Sequence, residues 1–458
     1  MSDYPMLISN KLHSFRNFFP QIYNFRYNIF SSEWPVANRV IELYLQKKSE
    51  NGGWERQING ISNNEKAVLL LEKRTFKELL VDMELRNLQN NIVGQEASRL
   101  FARAEINMGV EAFRDSLYSL LKRNTFLNIK FENMLDTLGE ISRTDIRSLL
   151  GEWEKTTPLP FYSLGEPTLT KITNKGGEEF FVLKMLISNN SDYDGIIHMD
   201  IRKDGWWYQP LEDPRAKTKI EMPAHTSKEF VSVWEDQIRN VEINTMVSGN
   251  LPNIISQVIN NVKQERNKIV KDSIYILPES SFDLPGEIIV DNEDSTLFIL
   301  SAPPIVGLLP KWLDEVEETP FKYSGISWWR PPLQWTATTN DRYYGKYIRS
   351  AFVIKSGDGS QTATWKVPVP EVGQYDLYYH VFKDDELRWN NNLQGEYHFK
   401  VKYGSEVEDA YVNLRKANEG WEQLGSYYFD SDTIRVVLTD ECKLRSVTAD
   451  AVKIVKRY

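Results

Sequence analysis

The segment Ala363–His380 reads ATWKVPVPEVGQYDLYYH, and its second half alternates apolar and polar side chains. Tyr375, Leu377 and Tyr379 stand two residues apart, with polar Asp376 between the first two. A period of two residues is typical of a β-strand that buries one face. The segment therefore predicts a strand of this kind, which follows a turn rich in Pro and Gly.

The same period continues on the C-terminal side of this segment. Alternating apolar positions recur in two further runs: Tyr397, Phe399 and Val401, then Ile434, Val436 and Leu438. Clusters of Pro, Gly, Asn and Asp separate the runs, as turns do in sandwich folds. Residues 285–458 are therefore predicted to form an all-β sandwich with a jelly-roll-like arrangement.

Three motifs in this region occur in a characteristic order. They are VDNEDS at Val290–Ser295, TWKVP and YDLY within Thr364–Tyr378, and GWEQLG followed by ADAVKIV within Gly420–Val455. With them, residues 285–458 resemble the Golvesin/Xly carbohydrate-binding-like domain, a β-sandwich appended to bacterial surface proteins and xanthan-lyase-type enzymes. The resemblance implies a binding module whose partner is a polysaccharide or another cell-surface ligand.

Composition limits the class of protein. With 458 residues the chain is too long for one core, and 41% hydrophobic with 26% charged residues is typical of a globular protein. The net charge of -9 argues against a nucleic-acid groove. No apolar run reaches the ~18 residues of a membrane span. No signal peptide is visible, so the compartment stays open; export or surface attachment is expected if the chain is part of a longer bacterial protein.

The rest of the chain predicts two further domains and a linker. Residues 1–157 show helical spacing, including one long helical stretch at Asn64–Asn91, and 158–250 show the strand pattern of a second β-sandwich. In 251–284, Val258, Val262 and Ile269 are the few apolar points, and their spacing predicts a polar helical linker. The predicted fold class is multidomain α+β.

The N-terminal part carries a second resemblance. Its motifs, in chain order, are GVEAF at Gly109–Phe113, Asn128, FENML at Phe131–Leu135, LLGEW at Leu149–Trp153, and PLP at Pro158–Pro160. This succession is similar to the C-terminal half of zinc aminopeptidases of the gluzincin, aminopeptidase-N type. The resemblance implies either an upstream peptidase-like region in a longer parent protein or a degenerate relative that kept only the scaffold.

The residues do not supply the chemistry of that family. A gluzincin zinc site needs two His four residues apart with a Glu after the first, and no two of the five His have that spacing: His13, His198, His225, His380 and His398. The chain also lacks a nucleophile elbow and a phosphate-binding glycine loop. Glu65, Glu72 and Glu78 alternate with basic residues and predict a solvated helix face. We therefore expect a non-catalytic modular protein without a cofactor; the alternative is the C-terminal part of a larger enzyme, aminopeptidase-like or xanthan-lyase-like, whose active site lies outside this chain.

One acidic cluster offers oxygen ligands for a cation. Asp291, Glu293 and Asp294 stand close together at the start of the C-terminal region and could supply oxygens to Ca²⁺. Their spacing is not that of an EF-hand loop, and a turn at a strand end is the alternative interpretation.

An aromatic and basic cluster is the candidate ligand-binding surface. Indole rings stack on sugar rings, and the arginines beside them donate directional hydrogen bonds. The alternative is packing of these rings inside the sandwich. The candidate residues are Trp328, Trp329, Arg330, Trp335, Arg342, Tyr344, Arg388 and Trp389.

The absence of a zinc-ligand motif from the sequence generates a first prediction. The purified chain should hold no stoichiometric zinc and should hydrolyse no aminoacyl-amide substrate, because no His-Glu-x-x-His is present. Elemental analysis and a chromogenic aminopeptidase assay, with and without chelator, measure this. One tightly held equivalent of zinc together with chelator-sensitive hydrolysis would contradict the prediction.

Overall fold

A computed structural model describes residues 7–8, 22–23, 29–46, 53–174, 176–203, 209–266, 270–278, 286–301, 321–327, 330–383 and 395–457. The chain divides into two compact units. The first holds Met1–Glu50, Ala67–Leu159 and Lys219–Glu221, and the second holds Asn51–Lys66, Pro160–Thr218 and Met222–Tyr458. Within the described ranges, no helix combines the length and apolarity needed to cross a bilayer.

Helices precede the strands along most of the chain. They are α1 (Ala37–Leu45), α2 (Gly53–Asn59), α3 (Asn63–Lys73), α4 (Phe76–Val81), α5 (Gln89–Met108), α6 (Val110–Arg123) and α7 (Phe131–Ser142), with 3₁₀ helices at Arg147–Glu154 and Pro214–Ala216. A short antiparallel pair, β1 (Leu7–Ile8) and β2 (Ile22–Tyr23), comes before them.

Helix α5 supplies much of the core of the first unit. Its ring Phe101 lies 4.8 Å from Tyr44 of α1 and 5.5 Å from Phe113 of α6, measured between ring centroids. The Tyr44 hydroxyl donates to the buried carboxylate of Glu105 at 2.7 Å. Gly109 adopts φ +82°, and this left-handed residue lets α6 begin directly after α5.

The prediction of one long helix at Asn64–Asn91 is wrong, because the helical structure is interrupted twice in that range. Helix α3 ends at Lys73, and Thr75 begins α4 with a capping box. Its hydroxyl accepts from the Glu78 N–H, and the Glu78 carboxylate accepts from the Thr75 N–H. Such a reciprocal pair satisfies two free backbone donors and fixes a helix start.

Two sheets form the middle sandwich of the second unit. One has the order β11-β10-β6-β7, with β8 also paired to β6; the other has the order β12-β4-β5-β9-β13, with β3 also paired to β5. The strands are β3 (Tyr162–Leu164), β4 (Thr168–Thr173), β5 (Glu179–Asn189), β6 (Gly195–Lys203), β7 (Gln209–Pro210), β8 (Lys217–Met222), β9 (Thr226–Trp234), β10 (Ile238–Asn244), β11 (Ile254–Val258), β12 (Val262–Arg266) and β13 (Ser273–Pro278).

The helical linker predicted for 251–284 is also wrong, since β11, β12 and β13 lie in this range. Strand β11 pairs antiparallel with β10, β12 pairs parallel with β4, and β13 pairs antiparallel with β9. Each strand adds to an existing sheet edge, and the gain in backbone hydrogen bonds overrides the weak helical spacing. Ile269, one of the three apolar points, lies outside the described residues.

The C-terminal module of the second unit contains three sheets. Their orders are β14-β25-β19-β22, β15-β18-β23-β20-β21 and β16-β17-β24. The strands are β14 (Glu287–Val290), β15 (Phe298–Leu300), β16 (Thr336–Thr339), β17 (Ser350–Lys355), β18 (Thr362–Pro368), β19 (Gly373–Val381), β20 (Glu396–Tyr403), β21 (Glu406–Asn413), β22 (Gly420–Phe429), β23 (Thr433–Thr439), β24 (Ser446–Ala449) and β25 (Val452–Lys456).

The predicted alternation is confirmed in these strands. Tyr375, Leu377 and Tyr379 on β19 are buried, and Phe399 on β20 and Val436 on β23 meet them in one apolar core. The multidomain α+β class with β-sandwiches is therefore confirmed, with helices in the first unit and sheets dominating the second.

Glu65 does not lie on a solvated helix face, contrary to expectation. Its carboxylate is buried and accepts from the Ser62 N–H at 2.6 Å, from Arg56 Nε at 3.1 Å and from the Asn253 N–H at 2.9 Å. The charge thus has an ionic partner and two backbone donors, which a buried carboxylate needs.

The self-contained core of the C-terminal module generates a second prediction. Residues 286–457 expressed alone should unfold cooperatively, because Trp365, Tyr379 and Phe399 are buried within the module. The melting temperature should be lower than in the full chain, since the backbone bonds that Leu251 makes to Tyr347 and Arg349 are lost. Calorimetry measures this, and a fragment without a cooperative transition would contradict it.

Candidate functional site

A cleft of about 850 Å³ opens between the middle sandwich and the C-terminal module, inside the second unit. The middle sandwich contributes residues of 163–169 and 257–263, and the C-terminal module contributes β14, residues of the 341–349 loop, His380 and the start of β22. This volume falls within the range of ligand pockets, roughly 300–1,000 Å³. The cleft is therefore the candidate functional site.

Three rings line the cleft together. The centroid of Trp421 lies 5.1 Å from Tyr344 and 5.1 Å from His380, and Tyr344 lies 5.8 Å from His380. His380 and Trp421 are directly opposite each other in the antiparallel pairing of β19 with β22. Strand register therefore places the imidazole and the indole side by side, and the loop before β17 brings Tyr344 to them.

Asp450 anchors this cluster from beneath. Its carboxylate is fully buried, accepts from the Tyr344 N–H at 3.2 Å and lies 2.8 Å from Nδ1 of His380. Burial raises the pKa of Asp450, while the charges of His380 and Arg349 act in the opposite direction. The contact fixes the orientation of the imidazole, as a carboxylate on one ring nitrogen does in other sites.

Two ion pairs hold cationic side chains close to the aromatic cluster. Arg342 Nε lies 2.7 Å from Oε1 of Glu419, and its guanidinium stacks on Phe382 with 4.4 Å to the ring centroid. Lys453 lies 3.0 Å from Glu287 and 4.8 Å from the centroid of Trp421. The cationic groups near the aromatic cluster are thus held by the chain's own carboxylates.

The middle sandwich contributes amide groups to the cleft. Asn260 and Asn261 lie in the turn between β11 and β12, line the cleft and are exposed. An amide both donates and accepts hydrogen bonds, so it matches ligands rich in hydroxyl groups. A cleft lined by aromatic rings and by amides is suited to binding a polar ring compound.

Among the described residues, neither a metal-ligand group nor the cysteine thiol marks this cleft. Among them, no three His, Cys, Asp or Glu side chains form a group that could hold a metal ion. The single cysteine, Cys442, does not line the cleft, and burial raises the pKa of its thiol, which disfavours the reactive thiolate.

The three carboxylates considered as Ca²⁺ ligands differ in their hydrogen-bond partners and in their burial. Asp294 accepts from the Thr296 N–H at 3.0 Å and from the Thr296 hydroxyl at 2.6 Å, which holds it in a local turn and lowers its pKa. Glu293 accepts from Lys322 at 2.6 Å. Burial raises the pKa of Asp291 well above its usual value, and the charges of Asp450 and Glu293 raise it further. The calcium site stays a prediction without a convergent ligand set.

The structure brings together two of the predicted ligand-binding residues, Arg342 and Tyr344, in the cleft. Arg330 is exposed, forms an isolated antiparallel β-bridge with Ser327 and does not line the cleft. Trp335 is partly buried against the core of the C-terminal module. Four further candidates lie outside the described residues: Trp328, Trp329, Arg388 and Trp389.

Sequence reasoning missed the site roles of Trp421, His380, Glu419 and Asp450. The signal was present for two of them, because Trp421 opens the GWEQLG motif and Asp450 lies in the ADAV turn between β24 and β25. An acidic residue within an apolar ending such as TADAVKIV needs a buried partner, and this pattern could have identified Asp450.

Fold and cleft together define a β-sandwich module that contributes one part of a polar, partly aromatic cleft. Residues 331–456 match the family model of the Golvesin C-terminal domain. This match confirms the resemblance stated for the C-terminal region. No curated protein matches the sequence. The aminopeptidase resemblance of the N-terminal part stays a prediction.

Solved structures with detectable likeness are distant. The chain is 13% identical to a Bacteroides uniformis beta-glucuronidase with a TM-score of 0.19, over 68% of this chain and 31% of that one. It is 9% identical to a chain of Sulfolobus Turreted Icosahedral Virus with a TM-score of 0.14, over 66% of this chain and 96% of that one. The chain thus spans less than a third of the glucuronidase, and neither likeness bears on function.

The pKa of Asp291 is raised and that of Asp294 is lowered, and this difference generates a third prediction. Asp291→Asn should increase the free energy of unfolding at pH 7, because burial and the charges of Asp450 and Glu293 disfavour the ionised form of Asp291 in the folded state. The native pKa is raised, so wild-type stability falls as pH rises from about 4, the ordinary aspartate value, through the native pKa. The gain from Asp291→Asn should therefore vanish at and below about pH 4.

Asp294→Asn is the matched control with the opposite sign. Hydrogen bonds from Thr296 lower the pKa of Asp294, so its charge stabilises the fold above its unfolded pKa. The variant should lose stability at pH 7, and this loss should shrink as pH falls through the native pKa. Urea titrations at several pH values measure both variants, and equal signs at pH 7 would contradict the assignment.

Proposed function

We propose that this chain is a non-catalytic modular protein whose C-terminal module, together with the middle sandwich, binds polysaccharide in the cleft. The observation that carries the proposal is the cluster of Trp421, Tyr344 and His380 in a cleft whose lining also includes the amides of Asn260 and Asn261. Sugar rings present an apolar face and an equatorial belt of hydroxyls. The rings and the amides complement these two surfaces.

The indole of Trp421 is the main stacking surface in this proposal. One aromatic contact adds about 0.5–1.5 kcal/mol beyond the buried area, so a single platform gives weak binding. Tyr344 extends the apolar surface, and Asn260 and Asn261 supply hydrogen bonds. A polymer that presents many copies of the same unit would compensate for weak single-site affinity through avidity.

Buried Asp450 gives the site its preorganisation. Since its carboxylate holds the backbone of Tyr344 and the ring of His380, two of the three rings lose little further freedom on binding. Ordering a side chain on binding costs roughly 0.5–1.5 kcal/mol. A fixed cluster avoids much of this cost.

Trp421→Ala tests the proposal. The variant should weaken retardation by soluble polysaccharides in affinity electrophoresis between about twofold and tenfold, as expected for the loss of one stacking contact. Trp421 is partly exposed, so the stability loss should stay below the ~3–5 kcal/mol of a core aromatic truncation. Galactomannan, dextran, xanthan and polygalacturonate form the panel.

Tyr428→Ala is the control, because Tyr428 lies on the same strand β22, is 59% exposed and does not line the cleft. It should leave retardation unchanged. Equal retardation of wild type and Trp421→Ala on every binding polymer would remove the indole from the site. No retardation of the wild type by any polymer would overturn the proposed function.

A further inference from the structure

The charges in the described lining of the cleft cancel. Four carboxylates, Glu166, Glu287, Asp341 and Glu419, stand against four cations, Lys263, Arg342, Lys346 and Arg349. Leaving the imidazole of His380 out of the count, their formal charges sum to zero. A site for an acidic polymer has an excess of cations, because each carboxylate of the ligand needs a partner once water is removed.

Arg342, the arginine beside the aromatic cluster, is held on several sides. Glu419 lies 2.7 Å from its Nε, Phe382 lies under its guanidinium, and its Nη2 donates to the Lys383 carbonyl. The ion pair is only partly exposed, at 26% for Arg342 and 31% for Glu419. A ligand carboxylate would have to displace Glu419 to reach this guanidinium.

The guanidinium of Arg349 is also held by groups of the protein. Its Nη1 donates to the Asp341 carbonyl at 2.7 Å, and the carboxylates of Asp341, Asp450 and Glu166 lie close enough to act on it. Lys263 is exposed at the rim, where an ion pair contributes little and is screened by salt. Neither arginine of the described lining therefore presents an open guanidinium fork.

We infer that the cleft selects uncharged polysaccharide over acidic polysaccharide, and that Glu419 sets this preference by neutralising Arg342. The inference rests on the proposed function and names its ligand class. A neutral chain stacks on Trp421 and takes hydrogen bonds from the amides of the lining without breaking any ion pair. An acidic chain finds the guanidinium groups of Arg342 and Arg349 already held by acceptors of the protein, so its carboxylates gain no ionic partner there.

Glu419→Gln is the decisive variant, because it keeps the shape of the side chain and releases Arg342 from its ionic partner. Affinity electrophoresis in polygalacturonate and in its methyl-esterified form compares two polymers that share a backbone and differ in charge; galactomannan and dextran complete the neutral set. Wild type should be retarded more strongly by the neutral polymers than by polygalacturonate. Glu419→Gln should gain about tenfold in affinity for polygalacturonate, the worth of one charge-assisted hydrogen bond.

Two further variants isolate the cause. In Arg342→Gln/Glu419→Gln, the gained affinity for polygalacturonate should disappear, because the released guanidinium is gone. Glu371→Gln removes one carboxylate from an ion pair with Lys456 outside the cleft and should leave retardation by every polymer as in wild type. The gain in Glu419→Gln should also fall with added salt, whereas retardation of wild type by neutral polymers should not.

Each remaining outcome is decisive. Stronger retardation of wild type by polygalacturonate than by its methyl ester and by the neutral polymers overturns the neutral preference but leaves the proposed function standing. No gain in Glu419→Gln overturns the role of Glu419. No retardation of wild type by any polymer overturns the proposed function and this inference with it.

Discussion

The buried carboxylate of Asp450 is the interaction on which the cleft depends. The carboxylate accepts from the Tyr344 N–H and contacts the ring of His380. The backbone carbonyl of the same residue accepts from the indole N–H of Trp365 in the core. One residue therefore connects the packing of the sandwich to the rings that line the cleft. A buried charge is tolerated only with such a complete set of partners, so the geometry around it is tightly constrained.

The neighbouring charges make this arrangement costly. Asp291 and Asp450 repel each other, and Arg349 has to compensate for several carboxylates at once. Shifted pKa values of this kind occur at functional sites and also in structural networks of ion pairs. These contacts hold the loop that carries Tyr344 and Arg342 in a fixed position relative to β19 and β22.

The C-terminal strands could be predicted from the sequence because each signal is local. The alternation at Tyr375, Leu377 and Tyr379 is visible within a few residues, and the turn residues mark its ends. The strands β11 to β13 could not be predicted in this way. Their identity depends on the edges of β10, β4 and β9, which are distant in sequence. Glu65 was misjudged for the same reason, since its partner Asn253 lies 188 residues away.

The site shows the same limit. Arg342 and Tyr344 could be named because they stand in a conspicuous aromatic and basic stretch, but nothing local associates them with Trp421. That association comes from the register that sets His380 opposite Trp421, and from the turn that carries Asp450. Residue type suggested a polar aromatic surface, and only the tertiary pairing showed which residues compose it.

The pairing of β14 with β25 places Glu287 opposite Val455, so the first and last strands of the C-terminal module are hydrogen-bonded neighbours. A module whose entry and exit lie side by side can be joined to itself by a short loop or inserted into a surface turn of another protein at little loop-closure cost. The cleft, however, takes one wall from residues of 163–169 and 257–263. A transplanted module would carry its fold to a new host and leave behind the part of the cleft that the middle sandwich contributes.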